Sequence, residues 1–164
     1  MDRNKNHLIK RLQKPWLYRL FLLTKLPAAL FAGLRIKELT EVQCTVSVPY
    51  RWSTRNPFGS TYFACMAMAA EMSTGALVLS NLRGNDKNIS WLVTGVRGSF
   101  HKKAKGLTWF TCKEGPQLKE VIDQAMLTGE AQSFIAHSRG LNDDGQVMAD
   151  FEIIWSFKKK PTQL

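Results

Sequence analysis

The sequence lacks several features that would place it in a common class at once. It has no run of 18 uninterrupted apolar residues, so a membrane-spanning helix is not expected. The most apolar N-terminal stretch, residues 16–34, is interrupted by Arg19 and Lys25 and lacks a small-residue cleavage site, so a signal peptide is not expected. No CxxC or Cys/His spacing supports a zinc site, which favours buried free thiols in a reducing, cytoplasmic compartment. The cysteines are Cys44, Cys65 and Cys112.

Acidic residues are scarce at the two ends of the chain. Residues 1–37 contain nine Lys and Arg against one acid, Asp2, and the tail adds three lysines at 158–160. Residues 38–157 contain eleven bases and twelve acids, so this part is nearly neutral. The net charge of +10 therefore comes from the ends, which argues against a nucleic-acid groove. It leaves open an attraction to anionic lipid or to a phosphate-bearing ligand.

Charge is also nearly absent from the middle of the chain. Residues 56–82 contain one charged residue, Glu71, inside an Ala-, Met- and Leu-rich stretch at 59–80. This composition predicts a helix that is apolar on nearly every face, with Ser60 or Thr61 as its N-cap. A carboxylate in such a helix must be paired, hydrogen-bonded, neutralised or used in chemistry.

Hydrophobic periodicity divides the rest of the chain. Apolar residues at three- and four-residue steps over 8–23 predict an amphipathic helix broken or started near Pro15, and Pro27 and Gly33 bound a second short helix. Alternation predicts one strand before the central helix and four after it, with a short helix among these. The strands are predicted at 42–50, 90–103, 107–113, 131–139 and 147–159, and the short helix at 117–127. This order predicts an α+β fold with an antiparallel sheet of about five strands on one dominant helix.

A short motif precedes the predicted central helix. It reads Asn56-x-x-Gly59-x-x-Tyr62-Phe63-Ala64, and Glu71 follows it inside the helix. The motif resembles the signature of hotdog-fold acyl-CoA thioesterases of the phenylacetyl-CoA and 4-hydroxybenzoyl-CoA type. That signature reads Asn-x-x-Gly-x-x-His-Gly-Gly followed by a helical Asp or Glu, so the His-Gly-Gly is replaced here. The resemblance covers residues 36–157 and looks closest to a branch whose members mostly lack an assigned function.

The resemblance implies an organisation and a set of partners. The residue pattern predicts a basic amphipathic helical arm at 1–35 and a tail at 161–164, and the resemblance places a hotdog domain at 36–160. The resemblance implies a homodimer with sites formed from both chains, and it leaves open a dimer of dimers. The substrate it implies is an acyl-CoA or an acyl-carrier-protein thioester, with coenzyme A as part of the substrate, no other cofactor and no nucleic acid.

Glu71 is the candidate catalytic carboxylate. It lies twelve residues beyond Gly59, about 18 Å along a helix, which is too far for both to act on one carbonyl within one chain. The hypothesis is that Glu71 of one subunit faces the helix start of the other, where it activates water or attacks directly. Backbone N–H groups at the helix start hold the oxyanion, with Asn56 or Tyr62 as a further donor. The alternative is a structural acid hydrogen-bonded across the dimer.

A second group of residues is predicted to bind substrate. It comprises Phe63, Ala64, Ser73, Thr74, Lys102, Lys103 and Lys105. The first two reshape the mouth of the site, and the two hydroxyls orient reacting groups near the acid. The lysines resemble the family's basic strand end near the CoA entrance, and they either hold phosphates or form a solvated strand end. The three histidines are scattered, so a Ser-His-Asp or Cys-His triad is not expected.

Two functions follow from these residues. The first is a thioesterase. The alternative is a non-catalytic acyl-chain or lipid binder, because Tyr62 can donate a hydrogen bond but cannot perform the proton chemistry of histidine at neutral pH. In that case the basic arm brings the protein to an anionic membrane surface, peripheral to its inner face. The other interpretation of the arm is a pair of helices covering the domain's own core or dimer seam.

Overall fold

The computed structural model describes residues 15–82 and 87–161. The helices of those two ranges are α1 (Pro15–Lys25), α2 (Pro27–Ala32), α3 (Phe63–Asn81) and α4 (Gly115–Thr128). Their strands are β1 (Arg35–Leu39), β2 (Cys44–Val48), β3 (Ile89–Phe100), β4 (Thr108–Cys112), β5 (Gln132–Leu141) and β6 (Val147–Lys159). The first part of the amphipathic helix predicted over 8–23 lies outside the described residues.

The strands form one antiparallel sheet in the order β1-β2-β4-β5-β6-β3, and this sheet packs around α3. The α+β hotdog arrangement is thus confirmed, with six strands in place of about five. The additional strand is β1, which pairs with β2 at one edge of the sheet. Three of its five residues are charged (RIKEL), so it carries little of the apolar alternation by which a strand is predicted.

Helix α3 is the core of the fold, and residues on nearly all of its faces are buried. By length and composition it could cross a membrane, with a mean hydropathy of 1.4, but 67% of that window is buried inside the fold. The helix begins at Phe63, so the predicted caps Ser60 and Thr61 are wrong. Tyr62 is the N-cap residue, and its side chain makes no capping hydrogen bond.

Several strand ends differ from the prediction by one to three residues. Val42 is exposed before β2, since the Thr40 hydroxyl accepts the backbone N–H groups of Val42 and Gln43 at 3.2 and 3.0 Å. Strand β3 ends at Phe100, so residues 101–103 form a loop, not strand. Helix α4 begins earlier than predicted, at Gly115.

The inner face of β6 follows the predicted alternation. Its buried residues are Ala149, Phe151, Ile153, Trp155 and Phe157. The cysteines are free and buried, as expected. Burial raises the pKa of the Cys44 and Cys112 thiols to about 12, so neither is poised as a nucleophile at neutral pH.

Candidate functional site

The loop before α3 is organised by Asn56. Its Oδ1 accepts the backbone N–H groups of Phe58 and Ser60 at 3.0 and 3.1 Å, and its Nδ2 donates to the Ser60 hydroxyl at 3.1 Å. Gly59 has a φ of +73°, a conformation that favours glycine. Asn56 and Gly59, predicted as catalytic residues, therefore shape the turn that leads into the helix.

A second loop packs against this turn. Ala104 O accepts the backbone N–H of Thr61 at 2.8 Å and its hydroxyl at 3.2 Å. Lys103 Nζ donates to Phe58 O at 3.2 Å. The three lysines of this loop, predicted to bind substrate, are all exposed, and they are Lys102, Lys103 and Lys105. The structure therefore brings the basic loop and the Asn56 turn to one place at the start of α3.

The start of α3 presents aromatic rings and uncapped backbone N–H groups. Tyr62 and Phe63 are exposed, and their ring centroids lie 4.9 Å apart. Phe63 also contacts Phe100 at the end of β3, with centroids 6.5 Å apart. No side chain in the described part of the chain caps the helix. The N–H groups of Phe63 and Ala64 and the positive end of the helix dipole can therefore face a ligand.

Glu71 lies further along the half-exposed face of α3. The half-buried residues on this face are Ala64, Ala67, Met68 and Glu71. Within residues 15–82 and 87–161 the Glu71 carboxylate makes no hydrogen bond or ion pair. Burial raises the pKa of its carboxyl above the usual glutamate value. A half-buried carboxyl with no partner and a raised pKa has the properties expected of a general base or nucleophile.

The surroundings of Glu71 depend on a glycine and a tryptophan. A Cβ added at Gly75 would lie 3.2 Å from Glu71 Oε1 and 3.5 Å from the Trp155 ring, so glycine leaves room for both groups. The Trp155 indole N–H donates to the Thr74 hydroxyl at 3.0 Å, which fixes the ring. The sequence pattern does not predict this bond, because the two residues are 81 positions apart.

The two hydroxyls predicted to orient substrate are fully buried in this structure. The Ser73 hydroxyl donates to Ala70 O at 2.7 Å and lies 2.8 Å from the Ser138 hydroxyl on β5. The Thr74 hydroxyl donates to Glu71 O at 2.9 Å while it accepts the Trp155 N–H. A role for them in substrate binding stays a prediction, and their contacts tie α3 to the sheet.

Within one chain the acid and the helix start remain separate. Glu71 follows Phe63 by eight residues, which is about 12 Å along the axis. A carbonyl bound by the first-turn N–H groups of one chain is therefore out of reach of Glu71 in the same chain. The described histidines do not replace it, since His101 is bonded to Asp150 and His137 to Glu114, both at 2.9 Å.

The inner side of the β3 edge continues this surface. Val96, Gly98 and Phe100 lie opposite Ile153, Phe151 and Ala149 of the inner face of β6. Val96 and Phe100 nevertheless remain half exposed, because α3 does not extend over this edge. Gly98 allows close packing, since a Cβ there would lie 2.8 Å from the Phe151 ring. An open apolar strip thus runs beside the half-exposed face of α3, and the sequence pattern did not reveal it.

The antiparallel sheet wrapped around one central helix defines a hotdog fold. The uncapped helix start and the half-buried acid lie on that helix. The chain belongs to the family described as Domain of unknown function (DUF4442), whose family model matches residues 15–156.

Solved structures share this fold. A Pseudomonas aeruginosa protein of unknown function, PA5026, described as a probable thioesterase, is 18% identical, with 90% of this chain and 97% of that chain covered and a TM-score of 0.76. A mutant of the P. aeruginosa thioesterase PA1618 is 16% identical, with 90% and 97% covered and a TM-score of 0.65. The Haemophilus influenzae thioesterase HI1161 is 12% identical, with 85% and 88% covered and a TM-score of 0.62. No curated protein matches the sequence significantly.

Proposed function

We propose that this protein hydrolyses acyl thioesters of coenzyme A or of acyl carrier protein, and that it does so as a homodimer. The observation that carries the proposal is the Glu71 carboxylate. It is half buried, has a raised pKa and has no partner within residues 15–82 and 87–161, and it lies beside an open apolar strip. A purely structural acid in this position would be expected to carry hydrogen bonds.

The chemistry assigned to the site is addition of water to the thioester carbonyl. The ionised Glu71 carboxylate takes a proton from water as the oxygen attacks the carbonyl carbon. The N–H groups of Phe63 and Ala64 bind the oxyanion that forms on the carbonyl oxygen. The C–S bond then breaks, the acid product is released, and the thiolate takes up the proton.

A dimer formed along the β3 edge brings these groups together. The end of β3 lies beside the helix start, through the contact between Phe100 and Phe63. The first half of β3 lies beside the acid, since Trp91 contacts Trp155 with ring centroids 5.4 Å apart. If two β3 strands pair antiparallel, the end of one lies along the first half of the other. The helix start of one subunit then faces Glu71 of its partner.

The same arrangement gives each part of the substrate a place. The exposed lysines at 102, 103 and 105 lie in the loop that contacts the turn before the helix, and the phosphates of a coenzyme A or phosphopantetheine group are expected there. The acyl chain is assigned to the apolar strip formed by Val96, Phe100 and Phe63, which the second subunit closes. Lys103 already contacts the turn at Phe58, so the basic loop is held in place before substrate binds.

The experiment is acyl-thioester hydrolysis by wild type and by Glu71→Gln, followed with a thiol reagent over a series of acyl-CoA esters. Removal of the base lowers kcat by about 100- to 10,000-fold while the dimer and the fold persist. The matched control is Glu120→Gln, which changes an exposed glutamate on α4 and leaves kcat unchanged. Wild-type turnover by Glu71→Gln contradicts the proposal.

A second candidate function is binding of an acyl chain without hydrolysis. The observation that favours it is Tyr62, which stands where the resembling family has histidine. In the same assay this function gives saturable acyl-CoA binding with no thiol release in wild type, and Glu71→Gln then changes neither signal. Thiol release by wild type that exceeds the uncatalysed rate excludes the binder.

A further inference from the structure

Helix α1 has a buried face and an exposed apolar face. Tyr18 and Leu22 are buried, and the Tyr18 hydroxyl donates to Leu34 O and Met72 Sδ, both at 3.3 Å. The opposite face carries Trp16, Leu20 and Leu23, exposed at 66, 52 and 60% and spaced four and three residues apart. Leu26 and Phe31 add further exposed apolar surface, with Phe31 at 74%. These five exposed residues form the arm surface.

The arm surface lies away from the edge proposed for dimerisation. The arm leads directly into β1, at the opposite end of the sheet from β3. Pairing of two β3 strands therefore does not cover it. A contiguous exposed apolar patch of this kind on a soluble domain indicates a surface that binds something.

A cationic cavity adjoins the arm surface. The cavity lies between α1, α2 and β1 and has a volume of about 520 Å³. Among the described residues that line it there is no acid, and the cations are Arg19, Arg35, Lys37 and Arg51. None of these four is ion-paired to a carboxylate of the described ranges. Arg51 is held in position because its guanidinium donates to Phe31 O at 2.7 Å and to the Ser53 hydroxyl at 2.9 Å.

Arg19 connects the cavity to the arm surface. It lies on α1 between the exposed and the buried faces, one turn from Trp16 and one turn from Leu23. The wall of the cavity and the apolar face therefore meet along one side of the helix. Residues 1–14 add five further Lys and Arg against Asp2, so the chain that leads into α1 is strongly basic.

The combination of an apolar face and flanking cations indicates which kind of partner the arm surface binds. An interfacial helix of this kind inserts its apolar side chains at the headgroup boundary while its cations contact anionic headgroups. A second copy of this chain would present the same positive charge, so two arm surfaces repel each other. A nucleic acid would leave Trp16, Leu20 and Leu23 without an apolar partner.

We propose that α1, α2 and β1 form a docking surface for an anionic phospholipid bilayer. Trp16, Leu20, Leu23 and Phe31 enter the interface, and the three arginines of the cavity face the lipid phosphates. Lys37 adds its charge from beside the Trp109 ring, whose centroid lies 5.2 Å from its Nζ. This docking does not depend on the proposed hydrolase activity, and either can fail without the other.

The test is co-sedimentation of the full chain with large unilamellar vesicles at physiological salt. One set of vesicles is phosphatidylcholine alone, and the other contains about 30% phosphatidylglycerol. Wild type binds the anionic vesicles at least about 10-fold more tightly than the zwitterionic ones. The double variant Leu20→Glu/Leu23→Glu loses at least about 10-fold on anionic vesicles. Its matched control is Leu127→Glu, which changes a leucine 80% exposed at the end of α4 and keeps wild-type binding.

A second variant separates lipid docking from a folding defect. Arg19→Glu/Arg35→Glu leaves the apolar residues unchanged and weakens binding to anionic vesicles by at least about 10-fold. Equal binding to both kinds of vesicle, or none to anionic vesicles, overturns the proposal. So does wild-type self-association in sedimentation velocity that Leu20→Glu/Leu23→Glu abolishes, because the arm surface is then an interface between copies.

Discussion

The two edges of the sheet are built in opposite ways. Strand β1 has five residues, an irregular register between Ile36 and Glu38, and the arm packed beside it. Strand β3 has twelve residues and pairs only with β6 among the described strands. Its exposed apolar residues are Leu92, Val96 and Phe100. Short, charged and irregular edges resist pairing, whereas a long apolar edge invites it.

This difference between the two edges places the proposed catalytic site at the β3 end of the sheet. The β1 end carries the arm that covers the flank of α3 at Met72, and the β3 end leaves the flank at Glu71 open. The proposed site therefore lies at the edge of the sheet that a single chain leaves uncovered. Changes at the β3 end are expected to alter activity and assembly, and changes at the β1 end to alter stability and vesicle binding but not turnover.

The largest effect is expected at the middle of the free edge. Val96→Lys places a charge on the inner side of β3, at a residue 52% exposed in one chain and buried in the proposed dimer. Sedimentation velocity is expected to show a monomer, and thioester turnover to fall by more than about 100-fold because the site is split.

The control for this variant is Ile135→Lys. Ile135 is 43% exposed on the outer face of β5, so the same charge is introduced away from the edge. This variant keeps dimer and turnover. A Val96→Lys protein that is still dimeric and active would show that the β3 edge is not the interface.

The next effect concerns one N–H group at the helix start. Phe63→Pro removes that donor, and proline is tolerated in the first turn of a helix. Tyr62 has a ψ of 133°, which suits a residue before proline. Loss of an oxyanion donor is expected to lower kcat by about 100- to 1,000-fold.

Phe63→Ala is the matched variant, because it removes the same ring and keeps the N–H. Its kcat is expected to fall far less than that of Phe63→Pro, and its loss to appear in KM as weaker acyl binding. Equal kcat values for the two variants would show that the backbone N–H of Phe63 does not contribute to catalysis.

A smaller effect is expected on the pH dependence of stability, to which the raised pKa of Glu71 contributes. Burial raises the pKa of its carboxyl in the folded state, so between the unfolded and the folded pKa the folded protein keeps a proton that the unfolded chain has lost. Stability therefore falls as pH rises through this window. Glu71→Gln removes this loss and is expected to raise the Tm by about 2–4 °C at pH 8.

The comparison of the two proteins at low pH completes this test. Near pH 3, well below the usual glutamate pKa, the carboxyl is protonated in both states, so the Tm values of wild type and Glu71→Gln should converge. A variant that is less stable than wild type at pH 8 would indicate that Glu71 has a stabilising partner, which is the structural alternative.

The smallest effect is expected at the β1 end. Gly33 caps α2 with a φ of +72°, and a Cβ there would lie 2.6 Å from Arg51 Nη2. Gly33→Ala is expected to destabilise the fold by about 1 kcal/mol, or about 2–4 °C in Tm, with kcat unchanged. A fall in kcat in the folded variant would show that this end of the sheet contributes to catalysis, contrary to the proposal.

The sequence predicted most accurately the elements whose bounds are set by residues within the element itself. Pro27 and Gly33 bound α2 as expected, and the alternation in β6 gave its bounds and its buried face. The start of α3 was missed because it depends on a distant contact. Thr61 is bonded to Ala104, 43 positions away, which keeps it out of the helix.

The candidate site was predictable in part for the same reason. Glu71 was evident because a single acid interrupts a long apolar helix. The glycine and tryptophan beside it, Gly75 and Trp155, were not, because their relation to Glu71 arises when β6 packs on α3. The open strip at Val96 and Phe100 was also hidden, since alternation predicts which face points inward but not whether another element covers it.

The most direct measurement mixes two inactive variants. Glu71→Gln and Phe63→Pro are unfolded together and refolded so that subunits exchange, and thioester turnover is compared with wild type. If each site takes its acid from one subunit and its helix start from the other, half of the dimers are mixed and each mixed dimer has one intact site. We therefore expect recovery of about one quarter of the wild-type rate. A mixture no more active than its two components would contradict a site shared between subunits.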